Sequence, residues 1–156
     1  MKIKIRKFML KDAVAVARLQ RQTIKTINSR DYSPSQIKVW SQRTTAKRHK
    51  THPYLNYKYV ATIKNKIVGF ANFTPAPIGI IEGLYIHKNF QSMGIGRKLL
   101  QVVEKAGKKN GVKQFQLSST ITAKDFYLKN NYKIVKKQYH KIGNKRLIVY
   151  LMKKKL

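Results

Sequence analysis

Hydrophobic and polar positions recur along this chain at two periods, and each change of period marks a new element. Residues 2–8 alternate Ile3 and Ile5 with Lys2, Lys4 and Arg6, which predicts an opening strand. Ala13, Val16, Ala17, Ile24 and Ile27 then recur at helical spacing to about Asn28, with Asp12 as the predicted N-cap. Ser33, Pro34 and Gln36 predict a second helix start: a cap, a first helical residue and the returning side chain of a capping box. Tyr32 and Ile37 occupy the staple positions, Trp40 follows one turn later, and the helix should fade near Lys47. The basic run 43–50 reads as solvated, and His49 and His52 as loop residues. Residues 57–64 and 67–74 predict a hairpin turning at Asn65-Lys66.

Residues 78–87 read as a buried strand in which Ile78, Ile80, Leu84 and Ile86 share a face with Glu82. Ile95, Leu99, Val102, Val103 and Ala106 predict an amphipathic helix ending in 107–111. A strand over 113–119, a short helix over 121–129 and a final hairpin of 132–140 and 145–153 complete the order β-α-α-β-β-β-α-β-α-β-β. That order implies a mixed α/β fold: a largely antiparallel sheet with one parallel crossover around the helix at residue 95.

The junction at Phe90-Gln91-Ser92-Met93-Gly94-Ile95-Gly96-Arg97 carries the first chemical signal. A strand turns there through a glycine-containing loop directly into a helix. The first helical amides have no intrahelical acceptor and carry partial positive charge. Glycines at 94 and 96 leave the backbone open to a ligand, so the stretch reads as an anion cradle. On two glycines alone, a tight turn is an equal reading. It is no Walker loop, because no Gly-Lys-Ser/Thr follows, and it lacks the third glycine and distal acid of the dinucleotide fingerprint.

Gln91-Ser92-Met93-Gly94-Ile95-Gly96, preceded by Leu84-Tyr85-Ile86-His87, resembles motif A of the GNAT acyl-CoA N-acyltransferase superfamily. The opening 5–12 resembles that family's first strand and helix start, and 32–40 resembles the Tyr-Ser-Pro-x-Gln-x-x-x-Trp second helix of a subgroup of small bacterial-type members. Thr120 to Tyr132 is similar to its motif B, with Thr120 in place of the usual Asn and Asn131-Tyr132 in place of Gly-Phe. The resemblance covers nearly the whole chain and implies one N-acetyltransferase domain over 1–156. It implies acetyl-CoA as co-substrate, with the pyrophosphate on the amides of Met93 to Arg97. Leu84, Tyr85, Ile86, Gln91, Ser92, Met93, Gly94, Ile95, Gly96, Arg97, Thr120 and Phe126 are the cofactor-binding residues it implies. The acyl end would lie along Leu84 to Ile86, with the carbonyl polarised by a main-chain amide near Ile86. Tyr127 takes the family's tyrosine position and is the expected acid for the leaving thiolate, against a reading as a core tyrosine.

Composition sharpens this picture. With 5 acidic residues in 156, few carboxylates can serve as a base. Glu82 alone lies inside the strand that approaches the acyl group. An apolar strand would raise its pKa, which suits a general base; pairing with a nearby Lys or Arg is the equal structural alternative. His87, at the strand end, is an outside candidate. No cysteine is present, so direct transfer in a ternary complex is expected, with no acyl-cysteine, disulfide or thiolate metal site. No metal is expected. The net charge of +30 attracts anions and opposes polycationic acceptors. A small-molecule amine acceptor is the favoured partner. Nucleic acid is the alternative from charge, either bound on the same scaffold or presenting the amine, but no nucleic-acid-binding module accompanies it. No stretch is long and apolar enough for a membrane span or a signal peptide, and a cytoplasmic location is expected. The sequence leaves a homodimer open.

Overall fold

The computed structural model describes residues 1–75 and 77–156. Seven strands form one sheet: β1 Ile3–Lys7, β2 Lys58–Ile63, β3 Lys66–Thr74, β4 Ile78–Ile86, β5 Gln114–Thr120, β6 Lys133–Ile142 and β7 Lys145–Lys155. The helices are α1 Ala13–Thr26, α2 Pro34–Gln42, α3 Ala46–Lys50, α4 Ile95–Lys109 and α5 Lys124–Lys129. The strand order is β1-β2-β3-β4-β5-β7-β6. Every neighbouring pair is antiparallel except β4 and β5, which the α4 crossover makes parallel. The expected mixed α/β order is therefore present, with α3 added.

Two layers of helix cover the sheet. On one face Ile95, Leu99, Leu100 and Val103 of α4 bury against Phe73, Ile81, Phe115 and Tyr127. On the other, Val16 and Leu19 of α1 pack on Val60 and Phe70, while Ile24, Ile37 and Trp40 pack on Leu147 and Val149. Burial of these apolar side chains is what draws the helical stripes onto the sheet. The α2 start forms as its sequence predicts: Ser33 Oγ accepts from the Gln36 amide at 3.2 Å, and Gln36 Oε1 accepts from the Ser33 amide at 2.8 Å.

Local readings change in four places. Asp12 does not cap α1. Its carboxylate accepts from the Met9 amide at 2.8 Å and takes both ends of the Arg6 guanidinium, at 2.7 and 3.0 Å. The bidentate arrangement is the stronger partner, and it holds the Asp12 carboxyl below its usual value. The turn between β2 and β3 sits at Lys64 and Asn65, both with positive φ, one residue earlier than expected. The second helix stops at Gln42, and Thr45 caps a separate α3 by accepting from the Arg48 amide at 3.2 Å.

The fourth change decides the site. Ile78 and Ile80 point outward, 46% and 40% exposed, while Gly79 and Ile81 face the core. A Cβ on Gly79 would lie 2.5 Å from the Phe115 ring, so only glycine fits under that side chain. The β3–β4 register runs Phe73↔Ile81 and then Asn72↔Gly83, leaving Glu82 as an extra residue in a bulge. The bulge inverts the alternation. Leu84 and Ile86 beyond it pack toward the α4 core, whereas Tyr85 packs on the α1 side. One continuous period-two face through Glu82 therefore does not exist.

Candidate active site

The β4–β5 pairing covers only Ile78–Ile80 against Gln114–Gln116. Beyond it the parallel strands diverge, and a cavity of about 600 Å³ opens between residues 81–86 and 117–120. The His87 amide bonds to Val68 O at 2.8 Å, so residue 87 and, by alternation, residue 85 direct their backbone groups at β3. Ile86 and Leu84 then direct theirs away from β3, into the divergence. The Ile86 carbonyl is held there by two donors, Gln91 Nε2 at 2.6 Å and Thr23 Oγ1 at 2.9 Å. These contacts fix the end of β4 and the orientation of its backbone.

The anion cradle lies at the mouth of the same cavity. Gly94 has φ +78° and caps α4; Ser92 has φ +60°. The Lys98 amide is bonded to Gly94 O at 3.1 Å, and the amides of Ile95, Gly96 and Arg97 precede that first helical bond. A Cβ on Gly94 would meet nothing within 4 Å, so the space above the turn is open. Gly96 works differently. Its missing Cβ makes room for Phe126, not for a ligand. Arg97 and Lys129 line the cavity, adding positive charge.

Leu84, Tyr85, Ile86, Gln91, Ser92, Gly94, Ile95, Gly96, Arg97, Thr120 and Phe126 all line this cavity, as do Glu82 and Tyr127. Met93 is the predicted site residue outside its lining and is exposed. Thr120 is committed locally: its Oγ1 accepts from the Ala123 amide at 3.1 Å and closes the turn before α5. The neighbouring Thr122 lines the cavity with a buried Oγ1 that has no partner among the described residues. Tyr127 is buried in the α4 core, and no hydrogen bond is made by its hydroxyl among the described residues. Burial pushes that hydroxyl well above its usual value, so it keeps its proton.

Glu82 does not sit in an apolar strand environment as expected. Its side chain is 35% exposed, and Oε2 lies 2.8 Å from His52 Nε2. The alternative expectation, a Lys or Arg partner, is not met among the described residues either. Asp31, Glu104 and Asp125 do not line the cavity, and Glu104 pairs with Lys154 at 2.7 Å. His87 Nδ1 accepts from the Asn89 amide and serves the turn after β4.

The histidines are the residues that the sequence patterns conceal. His49 lies on α3, with Nε2 2.8 Å from Gln20 Oε1 and Nδ1 2.6 Å from Lys58 Nζ. Lys58 is 2% exposed, and its ammonium lies 4.7 Å from the centre of the Phe8 ring. Burial pushes Lys58 down to about 8, against the opposing field of Glu82, and pushes His49 down to about 4. Thr45, a good N-cap ahead of Ala46, was the local signal for the helix that carries His49 inward.

Among the described residues no group of three metal-ligating side chains occurs, and no helix is long and apolar enough to cross a membrane. A family model described as an acetyltransferase (GNAT) domain matches residues 28–155. Sequence comparison with curated proteins returns no match. The fold is similar to a GCN5-related N-acetyltransferase from Rhodopseudomonas palustris, at TM-score 0.90 and 23% identity over 100% of this chain and 97% of that one. It is similar to the PaiA N-acetyltransferase of Thermoplasma acidophilum, solved with coenzyme A, at TM-score 0.82 and 22% identity over 100% of both chains. It is also similar to YncA of Salmonella typhimurium, solved with its cofactor acetyl-CoA, at TM-score 0.72 and 17% identity over 98% of this chain and 93% of that one. At these identities the likeness is one of fold.

Proposed function

Because the chain belongs to the GNAT acetyltransferase family, we propose that it moves an acetyl group from acetyl-CoA to the primary amine of a small acceptor, by direct transfer in a ternary complex. The observation that carries this reading is the divergence of β4 from β5 after Ile80, with the free α4 amides at its mouth. Three features of the cavity fit the ligand. The positive helix start and Arg97 suit a pyrophosphate. The open space at Gly94 admits it to the backbone. The buried Thr122 Oγ1, without a partner among the described residues, leaves a polar atom for the ligand's amide-bearing arm.

When bound, acetyl-CoA supplies an activated acetyl carbon and a sulfur leaving group. The Ile86 amide, turned into the divergence, faces the oxygen on which negative charge develops; a fixed donor of this kind contributes on the order of 3 kcal/mol. Glu82 takes the proton from the incoming ammonium, directly or through water. The amine nitrogen would bond to the acetyl carbon as the carbon–sulfur bond breaks; Tyr127 would give its hydroxyl proton to the departing sulfur and regain one from the acylated nitrogen, which loses its second proton in forming the neutral amide. With no cysteine in the chain, an acyl-cysteine route is absent.

The acceptor carries no second positive charge. Glu82 is the one carboxylate among the described cavity residues, where Arg97 and Lys129 are cationic. A polyamine would place its further ammonium groups without a counter-charge in a protein of net charge +30.

Calorimetry with acetyl-CoA and an amine panel followed by free-thiol release test the proposal together. Binding with turnover of monoamines over spermidine is the expected result. No heat with acetyl-CoA or coenzyme A at high micromolar concentration would remove the reading.

A further inference from the structure

We propose that His52 positions the Glu82 carboxylate by donating a hydrogen bond from Nε2, and that it does not relay the proton Glu82 removes. The inference rests on the reading of Glu82 as the base.

The tautomer of a neutral His52 is set by its own loop. The Tyr54 amide, at 3.1 Å, points at His52 Nδ1. A main-chain N–H can only donate, so Nδ1 must present its lone pair. A neutral imidazole carries one proton, which therefore resides on Nε2. That nitrogen lies 2.8 Å from Glu82 Oε2. The contact is a donor aimed at a carboxylate, and a hydrogen bond to an ionised acceptor is among the stronger kinds.

Glu82 needs such a partner. As the extra residue of the bulge, it lies outside the regular ladder that orients its neighbours. Its half-open side chain would otherwise sample several rotamers. His52 occupies Oε2 and leaves Oε1, which has no partner among the described residues, as the oxygen for the amine proton. The histidine is itself supported by aromatic contacts. Its ring lies 6.1 Å from Tyr54, Tyr54 lies 6.5 Å from Tyr57, and Tyr57 lies 5.0 Å from the core ring of Phe73. A row of aromatic rings thus connects the Glu82 partner to the core beneath β3.

The same geometry argues against a relay. To receive a proton from Glu82, Nε2 would have to present a lone pair, with the ring proton moved to Nδ1. That proton would face the Tyr54 amide hydrogen, and one hydrogen bond would become a donor–donor contact. A doubly protonated ring loses the same bond. The proton on Glu82 therefore leaves to water.

The test uses the full chain. Two-bond proton–nitrogen NMR of 15N-histidine protein, with His52 assigned by its loss in His52→Gln, reads the tautomer without any substrate. The Nε2–H form is expected; an Nδ1–H or a mixed tautomer would overturn the proposal. Kinetics with acetyl-CoA and the monoamine that turns over fastest in the panel read the positioning. His52→Ala should lower kcat about tenfold with an unchanged KM for acetyl-CoA, as expected for a misplaced base in an intact cofactor site. His52→Gln, which keeps an N–H donor, should recover most of that loss. Equal losses in the Ala and Gln variants, both with wild-type melting temperatures, would point to a relay. Full kcat in His52→Ala beside a deficient Glu82→Gln would remove this proposal alone. Full kcat in Glu82→Gln would remove the base reading, and this proposal with it.

Discussion

Gly96 is packed against Phe126: a Cβ at Gly96 would lie 3.2 Å from Cε1 and 3.3 Å from Cζ of that ring. The two glycines of the α4 turn therefore do different work. At Gly94 space is free but φ is +78°, a backbone that costs a residue with a Cβ about 1–2 kcal/mol. At Gly96 the backbone is helical but the neighbouring ring is close.

Gly94→Ala should lower the melting temperature by a few degrees, since ~1 kcal/mol corresponds to roughly 2–4 °C in a domain of this size class. Gly94→Asp places a negative charge in the open space above the turn, and its calorimetric heat with acetyl-CoA should vanish. Gly96→Ala should push Phe126 into the cavity and weaken acetyl-CoA about tenfold, with a smaller thermal shift. Equal behaviour of the two alanine variants in calorimetry and melting would show that the turn does not divide these roles.

The division between legible and illegible features follows from range. The Ser33-Pro34-x-Gln36 cap, the Gly94 turn and the α4 stripe are set by residues within one or two helical turns, so their patterns announce them. The Glu82 bulge is a register difference between two strands. It arises where Gly79 must sit against Phe115 while Leu84 and Ile86 must face the α4 core, and no window along β4 contains that demand. His49 and His52 were hidden for a related reason. Beside so basic a run each reads as a loop residue, and only the return of α3 over α1 brings His49 against Gln20 and the buried Lys58.

Tyr127→Phe separates chemistry from packing. The ring fills the α4 core, while the hydroxyl makes no hydrogen bond among the described residues. Removing the oxygen leaves no partner orphaned, so chemical denaturation should report unchanged stability. If the hydroxyl protonates the leaving thiolate, kcat should fall about a hundredfold, within the range for a lost general acid. Wild-type kcat in this variant would make Tyr127 a core residue only.

Acid should weaken the protein through His49. Burial, with Lys58, His52 and Arg48 nearby, pushes its imidazole from 6.5 down to about 4. Between those values the unfolded chain binds the proton that the folded chain refuses. Stability from this group is therefore complete above pH 6.5 and is lost as pH falls toward 4. Urea midpoints at pH 7 and pH 5 should differ in the wild type, and His49→Gln should narrow the difference. An undiminished difference in the variant would assign the acid sensitivity to other groups.

The Tyr32 hydroxyl joins two segments that flank the cavity wall. It donates to Ile148 O at 2.6 Å and accepts from the Ile121 amide at 2.9 Å. Ile148 belongs to β7, and Ile121 begins the turn that presents Thr122 and α5. The ring itself is buried edge-on to Trp40, with centroids 5.6 Å apart. Tyr32→Phe keeps that packing but leaves one carbonyl and one amide without partners. Such a loss costs about 1–3 kcal/mol, and chemical denaturation should show it. Because the freed amide lies at the root of the turn carrying Thr122, acetyl-CoA affinity should fall as well, where a purely structural link would change stability alone. Calorimetry on Tyr32→Phe, run below its melting temperature, decides between the two.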